Sequence, residues 1–212
     1  MDAFSNDDGL FVLLAMVKAI QENKAYLGEV DGLIGDGDHG MNMNKGFSLF
    51  ESRFGAQAIG FVEGLDKLGA ILMNEIGGSM GPIYGTVFME MAAAGKGLDA
   101  IGLADFARML EAGLSGLQEI VEAQVGDKTL VDTLSPAVAA LTARARENGG
   151  FRQALAEMKA AAAQGRDSTK DMVAKHGRSS RLGERSRGVL DAGAASCYIL
   201  LAAIAEAMSE KL

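Results

Sequence analysis

Residues 106–121 read FARMLEAGLSGLQEIV, and the spacing of their apolar side chains decides the fold class. These side chains recur every three or four positions, which is the period of an α-helix with one buried face. A half-buried strand would alternate at every second position instead, and this stretch does not. The apolar positions are Phe106, Met109, Leu110, Leu114, Leu117 and Val121.

The same helical period returns along most of the chain. No stretch shows a convincing strand pattern, so the sequence predicts an all-α fold of about eight helices. We expect one domain over residues 1–212. Pro136 lies within a helical run that starts near Lys128, and we expect a kink or break there. The other helical stretches are residues 10–17, 61–72, 130–141 and those near 42–53, 83–94, 152–165 and 193–210.

Composition and charge exclude several classes of protein. With 212 residues, 49% of them hydrophobic, the chain is long and apolar enough to fold around one core. Its net charge of −8 repels nucleic acid and anionic lipid, so we expect neither as a partner. No targeting segment is recognisable, and no apolar run approaches the length of about 18 residues that a membrane span needs. The single cysteine, Cys197, reads as a core thiol, and these features together predict a cytoplasmic location.

Three carboxylates are concentrated in residues 31–40, which read DGLIGDGDHG. The glycines around Asp36 and Asp38 allow the backbone to fold tightly, so that both carboxylates converge with Asp31. Grouped carboxylates repel one another unless a cation neutralises them, and oxygen ligands suit Mg²⁺. The pattern therefore predicts a divalent-metal site, and a plain turn with solvated acids is the alternative.

A predicted helix begins directly after these carboxylates, and its amino terminus is a natural seat for a phosphate group. His39 and Asn42 lie in its first turn and are candidate contacts to that ligand. A structural histidine bonded to the backbone is the alternative for His39.

Other glycine-rich or charged loops offer weaker signals. Residues 76–85, IGGSMGPIYG, enter a helix and present backbone donors near Ser79, which suit either phosphate binding or close helix packing. In GDKT, residues 126–129, we expect Asp127 to cap a helix and Lys128 to be a surface charge, while Leu130 is a candidate wall for an adenine pocket. The basic residues 175–187 suit a lid over phosphates or a solvated loop, and Asp191 is a candidate cap of the last helix.

Taken in order, these motifs resemble the nucleotide-binding L subunits of bacterial dihydroxyacetone kinases over nearly the whole chain. The matching segments are GDGDHGMNMNKGF, GGSMGPIYGT, GDKT, GRSSRLGERS and DAG. The resemblance implies a barrel of eight antiparallel amphipathic helices with the nucleotide site at one end. It implies that Asp31, Asp36 and Asp38 bind two Mg²⁺ ions that bridge to ADP or ATP. The implied nucleotide contacts are His39, Asn42, Ser79, Met80, Leu130, Arg178, Asp191 and Gly193.

The resemblance also implies the reaction and the partners. This chain would supply a phosphoryl group to a short ketose, dihydroxyacetone by default, held by a separate K subunit. Arg178 would counter the charge that develops during transfer, and it is the one residue to which we assign a catalytic role. A phosphotransferase-system protein is the expected donor that recharges tightly bound ADP. Homodimerisation and a transcription regulator as a further partner stay open.

His39 helps to weigh the alternatives, because fused ATP-dependent relatives tend to have Cys at this position and fatty-acid kinase relatives Thr. The histidine favours the phosphotransferase-linked type over an ATP-dependent kinase for a four-carbon ketose and over a fatty-acid kinase domain. A non-catalytic, nucleotide-bound regulator is the alternative from another class of protein. The segment EAQV before GDKT departs from the Lys-Ala-Glu-Pro-Gly run of many relatives, and Met80 and His176 depart from the common residue types. We therefore expect the adenine wall and the lid to differ in detail from those relatives.

Overall fold

The computed structural model describes residues 2–212, and its regular secondary structure is almost entirely helical. Over that range it contains eight α-helices and one short antiparallel ribbon of two strands. The helices are α1 (Gly9–Ile34), α2 (His39–Phe54), α3 (Phe61–Glu75), α4 (Met80–Gly95), α5 (Leu103–Ile120), α6 (Val131–Arg146), α7 (Phe151–Ser168) and α8 (Ala192–Lys211). The strands are β1 (Ala3–Ser5) and β2 (Ala100–Gly102), and the 3₁₀ turns are Asn6–Asp8, Thr169–Asp171 and Ser179–Ser186.

The helices pack in a closed ring. Each helix contacts the next one along the chain, and α8 packs back against α1. Helices that are neighbours in sequence and joined by short connections run antiparallel, so the ring is a barrel with successive connections at alternate ends. The prediction of an all-α barrel of about eight helices is confirmed.

The apolar faces meet inside the ring. Fully buried side chains from most helices form one core, among them Phe47 in α2, Leu65 in α3 and Phe106 in α5. Cys197 is buried in α8 as predicted. Helix α8 is long and apolar enough to cross a membrane, but 72% of its most apolar window is buried within the protein, as in the core helix of a bundle.

The structure differs from the predicted secondary structure in three details. The ribbon of β1 and β2 was not expected, because strands of three residues carry too little pattern to detect. Helix α6 begins at Val131 rather than near Lys128, and it continues through Pro136 without a break. Pro136 is the sixth residue of α6, so the one backbone hydrogen bond it removes is that to the carbonyl of Asp132, and Gly165 of α7 packs closely against Pro136 and against this carbonyl.

Candidate active site

A cleft of about 450 Å³ opens at one end of the barrel. Its walls come from the four connections that precede the even-numbered helices, which are residues 35–38, 76–79, 121–130 and 169–191. In an antiparallel ring these alternate connections meet at the same end. The volume lies in the range of ligand sites for small molecules and cofactors.

The cleft gathers the predicted site residues from distant parts of the chain. All of the residues to which we assigned a metal, nucleotide or catalytic role line its walls. They are Asp31, Asp36, Asp38, His39, Asn42, Ser79, Met80, Leu130, Arg178, Asp191 and Gly193. The fold thus places them together, while the role of each one stays a prediction.

The carboxylates of Asp31, Asp36 and Asp38 form a compact cluster. One oxygen from each lies within 4.8 Å of the others. We expected Asp31 to lie in a loop, but α1 extends to Ile34 and places Asp31 in its last helical turn. Asp36 and Asp38 are exposed, and the turn between them passes through Gly37 at φ +78°, a conformation that favours glycine. Three convergent oxygen ligands that face solvent fit Mg²⁺, which retains waters and binds phosphate oxygens as well.

His39 belongs to a buried chain of hydrogen bonds. Its Nε2 lies 2.8 Å from Ser196 Oγ, which lies 2.7 Å from the hydroxyl of Tyr84. Ser196 also donates to the carbonyl oxygen of Gly193 at 3.1 Å. Burial lowers the pKa of His39 to about 4, with Asp31 opposing that change, so the imidazole is neutral at neutral pH. The histidine therefore has a structural partner and also faces the cleft.

A close approach of two helices positions His39. A side chain at Gly40 would collide with the carbonyl oxygen of Lys24 and approach the amide of Gly28, both in α1. Only glycine lets the first turn of α2 lie this close to α1. The amino terminus of α2 is thereby held beside the carboxylate cluster, where the amide of His39 lies 3.4 Å from Asp31 Oδ2.

The position of the glycine loop before α4 is also fixed by a close approach of two helices. An ideal Cβ at Gly81 would lie 2.5 Å from the carbonyl oxygen of Leu72 and 2.6 Å from that of Ile76, so α4 starts directly against α3. Ser79 precedes α4, is exposed, and makes no side-chain capping bond. Gly78 takes φ +77° and leaves the backbone of the loop open to the cleft.

The loop of residues 121–130 differs from its prediction in two ways. Asp127 does not cap α6; its carboxylate accepts hydrogen bonds from the amide of Gln124 at 2.9 Å and from Lys175 Nζ at 2.6 Å. No side chain caps α6; Asp132, in the first turn of the helix, instead accepts a hydrogen bond from the amide of Thr129 in the preceding loop at 2.7 Å. Lys128 is not a surface charge, since only 1% of it is exposed.

We call residues 169–191, which connect α7 and α8, the lid segment. It brings Arg178 to the cleft, where the guanidinium forms an ion pair with Asp36. At its end, Asp191 caps α8 by accepting a hydrogen bond from the amide of Ala194 at 2.8 Å, as expected. Burial raises the pKa of Asp191 to about 6.

The sequence reasoning missed Lys128, Tyr84 and Ser196. Lys128 looked like an ordinary loop charge, although a non-glycine residue at φ 62° signals an unusual local constraint that only the structure displays. Ser196 could have been found from the sequence, because it is a hydroxyl residue in the apolar run AASCYILL, and a buried hydroxyl needs a hydrogen-bond partner.

Comparisons with known proteins identify the family of this chain. The family described as the DAK2 domain matches residues 33–206. The ADP-binding subunit DhaL of a PEP-dependent dihydroxyacetone kinase from Listeria innocua is 37% identical over 188 residues, with 87% of this chain and 88% of the relative covered. The corresponding subunit of a PTS-dependent kinase from Lactococcus lactis is 37% identical over 191 residues, with 90% and 91% covered.

A solved structure supports the fold independently of close sequence identity. The dihydroxyacetone kinase of C. freundii, in complex with AMP-PNP and Mg²⁺, superposes with a TM-score of 0.73 at 21% identity. The match covers 97% of this chain and 35% of that longer one. On the extent of the domain match and the identity to its relatives, this chain belongs to the DAK2 domain family.

Proposed function

We propose that this chain is the nucleotide-binding subunit of a dihydroxyacetone-type kinase. It holds ADP or ATP in the cleft and passes a phosphoryl group to a short ketose bound by a separate K subunit. The observation that carries this proposal is the convergence of the carboxylate cluster and Arg178 at one cleft of nucleotide-compatible size. The names of relatives that share most of their length with this chain support the same assignment.

The chain's own groups divide the work. Asp31, Asp36 and Asp38 hold Mg²⁺, two ions in our proposal, which would neutralise the phosphate charge. His39, Asn42, Ser79 and Met80 contact the nucleotide, Leu130 lies at its adenine side, and Asp191 and Gly193 complete the pocket.

Arg178 is the proposed catalytic residue. It lies on the exposed lid segment and already reaches the carboxylate cluster, so its guanidinium is placed to donate hydrogen bonds to the oxygens of the transferring phosphoryl group. Nothing in the cleft needs to act as a covalent nucleophile, because positioning and charge stabilisation account for most catalysis in phosphoryl transfer.

The expected phosphoryl donor is a phosphotransferase-system protein that recharges ADP while it stays bound. The name of the Lactococcus lactis relative refers to such dependence. To test it, the purified chain would be analysed for co-purifying nucleotide. Transfer to dihydroxyacetone would then be measured with the K subunit, once from ATP and once from the phosphotransferase proteins.

The metal assignment has its own test. We expect Asp36→Asn and Asp38→Asn to lose Mg²⁺-dependent ADP binding in calorimetry, because each removes a charged ligand. Asp66→Asn is the matched control, since Asp66 is an exposed carboxylate on α3. Wild-type affinity in both site variants would show that the cluster does not hold the nucleotide's metal.

A further inference from the structure

The two ends of the lid segment are fastened together at its base. The amide of Gly188 donates to the carbonyl oxygen of Lys170 at 2.7 Å, and the amide of Asp191 donates to Thr169 Oγ1 at 3.1 Å. The segment is therefore a closed loop that returns to its starting point, and Arg178 lies within it. What holds this loop against the barrel decides where Arg178 lies.

Lys128 bridges both ends of that loop. Its buried ammonium group donates hydrogen bonds to the carbonyl oxygens of Thr169 and Val189, one at each end of the lid segment. An ammonium group is costly to bury unless it is hydrogen-bonded or paired, so these bonds account for its position. Because the carbonyls belong to the lid and the lysine to a different connection, the contact ties two walls of the cleft together.

Asp127, the residue before Lys128, holds the lid nearer to Arg178. Its carboxylate accepts from Lys175 Nζ at 2.6 Å and lies 3.2 Å from His176 Nε2. Its carbonyl oxygen accepts the amide of Lys175 at 3.2 Å. Lys175 lowers the pKa of Asp127 to about 2, with further contributions from the Gln124 amide and His176, so the carboxylate stays charged at neutral pH.

The loop that carries these two residues is itself fixed to the barrel. Asp132, fully buried in the first turn of α6, accepts the amide of Gly126 at 2.6 Å and that of Thr129 at 2.7 Å. Lys128 and Asp127 thus project from a loop braced at both ends. A continuous set of contacts runs from α6 through this loop to the lid segment.

We propose that Lys128 and Asp127 are positioning residues that latch the lid segment and so hold Arg178 at the cleft. The latch follows from the contacts alone, whereas its consequence for phosphoryl transfer rests on the proposed function. Lys128 also lines the cleft, but two of the three N–H donors of its ammonium group engage lid carbonyls, and in this proposal it acts through the lid.

The lid is suited to limited proteolysis by trypsin, because it contains several cleavage sites. Those at Arg178, Arg181 and Arg185 are exposed. Cleavage of a folded protein follows the population of the locally opened state when reclosing is fast. In the full chain without nucleotide, we expect Lys128→Met to raise cleavage after these arginines by about tenfold or more, as measured by mass spectrometry.

Lys159→Met is the matched control for the same change of residue. Lys159 pairs with Glu206 at 2.8 Å between α7 and α8, and its side chain is 39% exposed. We expect this variant to be cleaved at the wild-type rate. Circular dichroism on both variants separates opening of the lid from loss of the fold.

A second series keeps the test decisive if Lys128→Met does not fold. Lys175 is 63% exposed, so Lys175→Met removes its bond to Asp127 with little effect on the core. We expect cleavage after Arg178, Arg181 and Arg185 to rise about threefold, and Lys175→Arg to restore the wild-type rate because arginine can also bind the carboxylate.

Transfer kinetics with the K subunit provide the functional readout. In Lys128→Met we expect kcat to fall by about tenfold or more, the KM for dihydroxyacetone to stay unchanged, and Mg²⁺–ADP affinity to fall by less than about threefold. This split indicates a displaced Arg178 and not a lost binding contact.

The outcomes separate the latch from the proposed function. Lid cleavage at the control rate in Lys128→Met, or in the Lys175 series if that variant does not fold, overturns the latch. So does a loss of Mg²⁺–ADP affinity of about 100-fold with normal cleavage, which would make Lys128 a ligand contact. Faster lid cleavage with no transfer by any variant, wild type included, would refute the proposed function and leave the latch standing.

Discussion

The buried hydrogen-bonded chain His39–Ser196–Tyr84 predicts that its members contribute unequally to the stability of the fold. Ser196 is its shared member. We assign its one hydroxyl hydrogen to the carbonyl oxygen of Gly193, so that its lone pairs accept from the Tyr84 hydroxyl and from His39 Nε2–H. No buried side-chain nitrogen or oxygen within residues 2–212 lacks a partner. The loss in the free energy of unfolding on removing one member therefore depends on which hydrogen-bond partners the remaining members keep.

The structure predicts different losses in the free energy of unfolding for Tyr84→Phe and Ser196→Ala. Tyr84→Phe removes one buried hydroxyl but leaves Ser196 bonded to His39 and Gly193, so we expect a loss of about 1 kcal/mol in the free energy of unfolding. Ser196→Ala also leaves His39 Nε2 without its partner. Tyr84 can still donate to Gly193 at 3.3 Å. Because an unsatisfied buried group costs about 1–3 kcal/mol, we expect Ser196→Ala to lose about 2–3 kcal/mol in total.

Urea denaturation at pH 7 in the absence of nucleotide measures both values from transitions followed by circular dichroism. The double variant should lose less than the sum of the single ones, since both remove the same Tyr84–Ser196 bond. Ser209→Ala is the control, because Ser209 Oγ bonds only to the carbonyl of Ala205 near the end of α8. If Ser196→Ala costs no more than Tyr84→Phe, the chain does not depend on Ser196 and our account of His39 is wrong.

Three further predictions follow from the site. Gly40→Ala should lower the free energy of unfolding by at least about 2 kcal/mol and the Tm by at least about 4 °C in calorimetry, because the new methyl group meets the backbone of α1. In metal-free buffer, His39 should destabilise the fold as the pH falls, since its folded pKa of about 4 lies below its unfolded value of 6.5. The loss is about 2 kcal/mol between pH 7 and pH 5, and it should be absent from His39→Gln in denaturant titrations. With the K subunit present, Arg178→Met should lower kcat by about 100-fold or more and Arg181→Met by less than about threefold; equal effects in steady-state assays would remove the catalytic role of Arg178.

The sequence pattern predicted the all-α class and the number of helices well because this information is local and repeated, whereas the barrel was implied by the family resemblance. The period in residues 106–121 recurs in other helices, and each copy independently specifies a buried face. The carboxylate loop, the glycine loop and DAG each occur as a short motif, so their residues were identified without knowledge of the tertiary structure. The antiparallel ring then brings them together, because their connections lie at the same end.

The errors lie where long-range contacts decide the outcome. Lys128 and Asp127 have helix-cap and surface residue types, yet their partners are Thr169, Val189 and Lys175, about 40 to 60 positions away. No local sequence pattern predicts that a lysine will donate hydrogen bonds to two carbonyl oxygens of a different interhelical connection.

Two of the attachments of the lid segment differ in strength, and burial decides which of these two holds it. The ion pair of Arg178 with Asp36 joins side chains that are 66% and 36% exposed. Pairs of this kind contribute about 1 kcal/mol or less, because water screens them and two long side chains lose freedom. A phosphate group that draws Arg178 away from Asp36 therefore meets little resistance. The Lys128 bonds are buried, and opening them leaves an ammonium group and two carbonyls unpaired in the interior. It follows that Arg178 can exchange its partner at the cleft while the base of the lid stays in place, and the role that we propose for Arg178, to engage a phosphoryl group and then release it, would use this freedom.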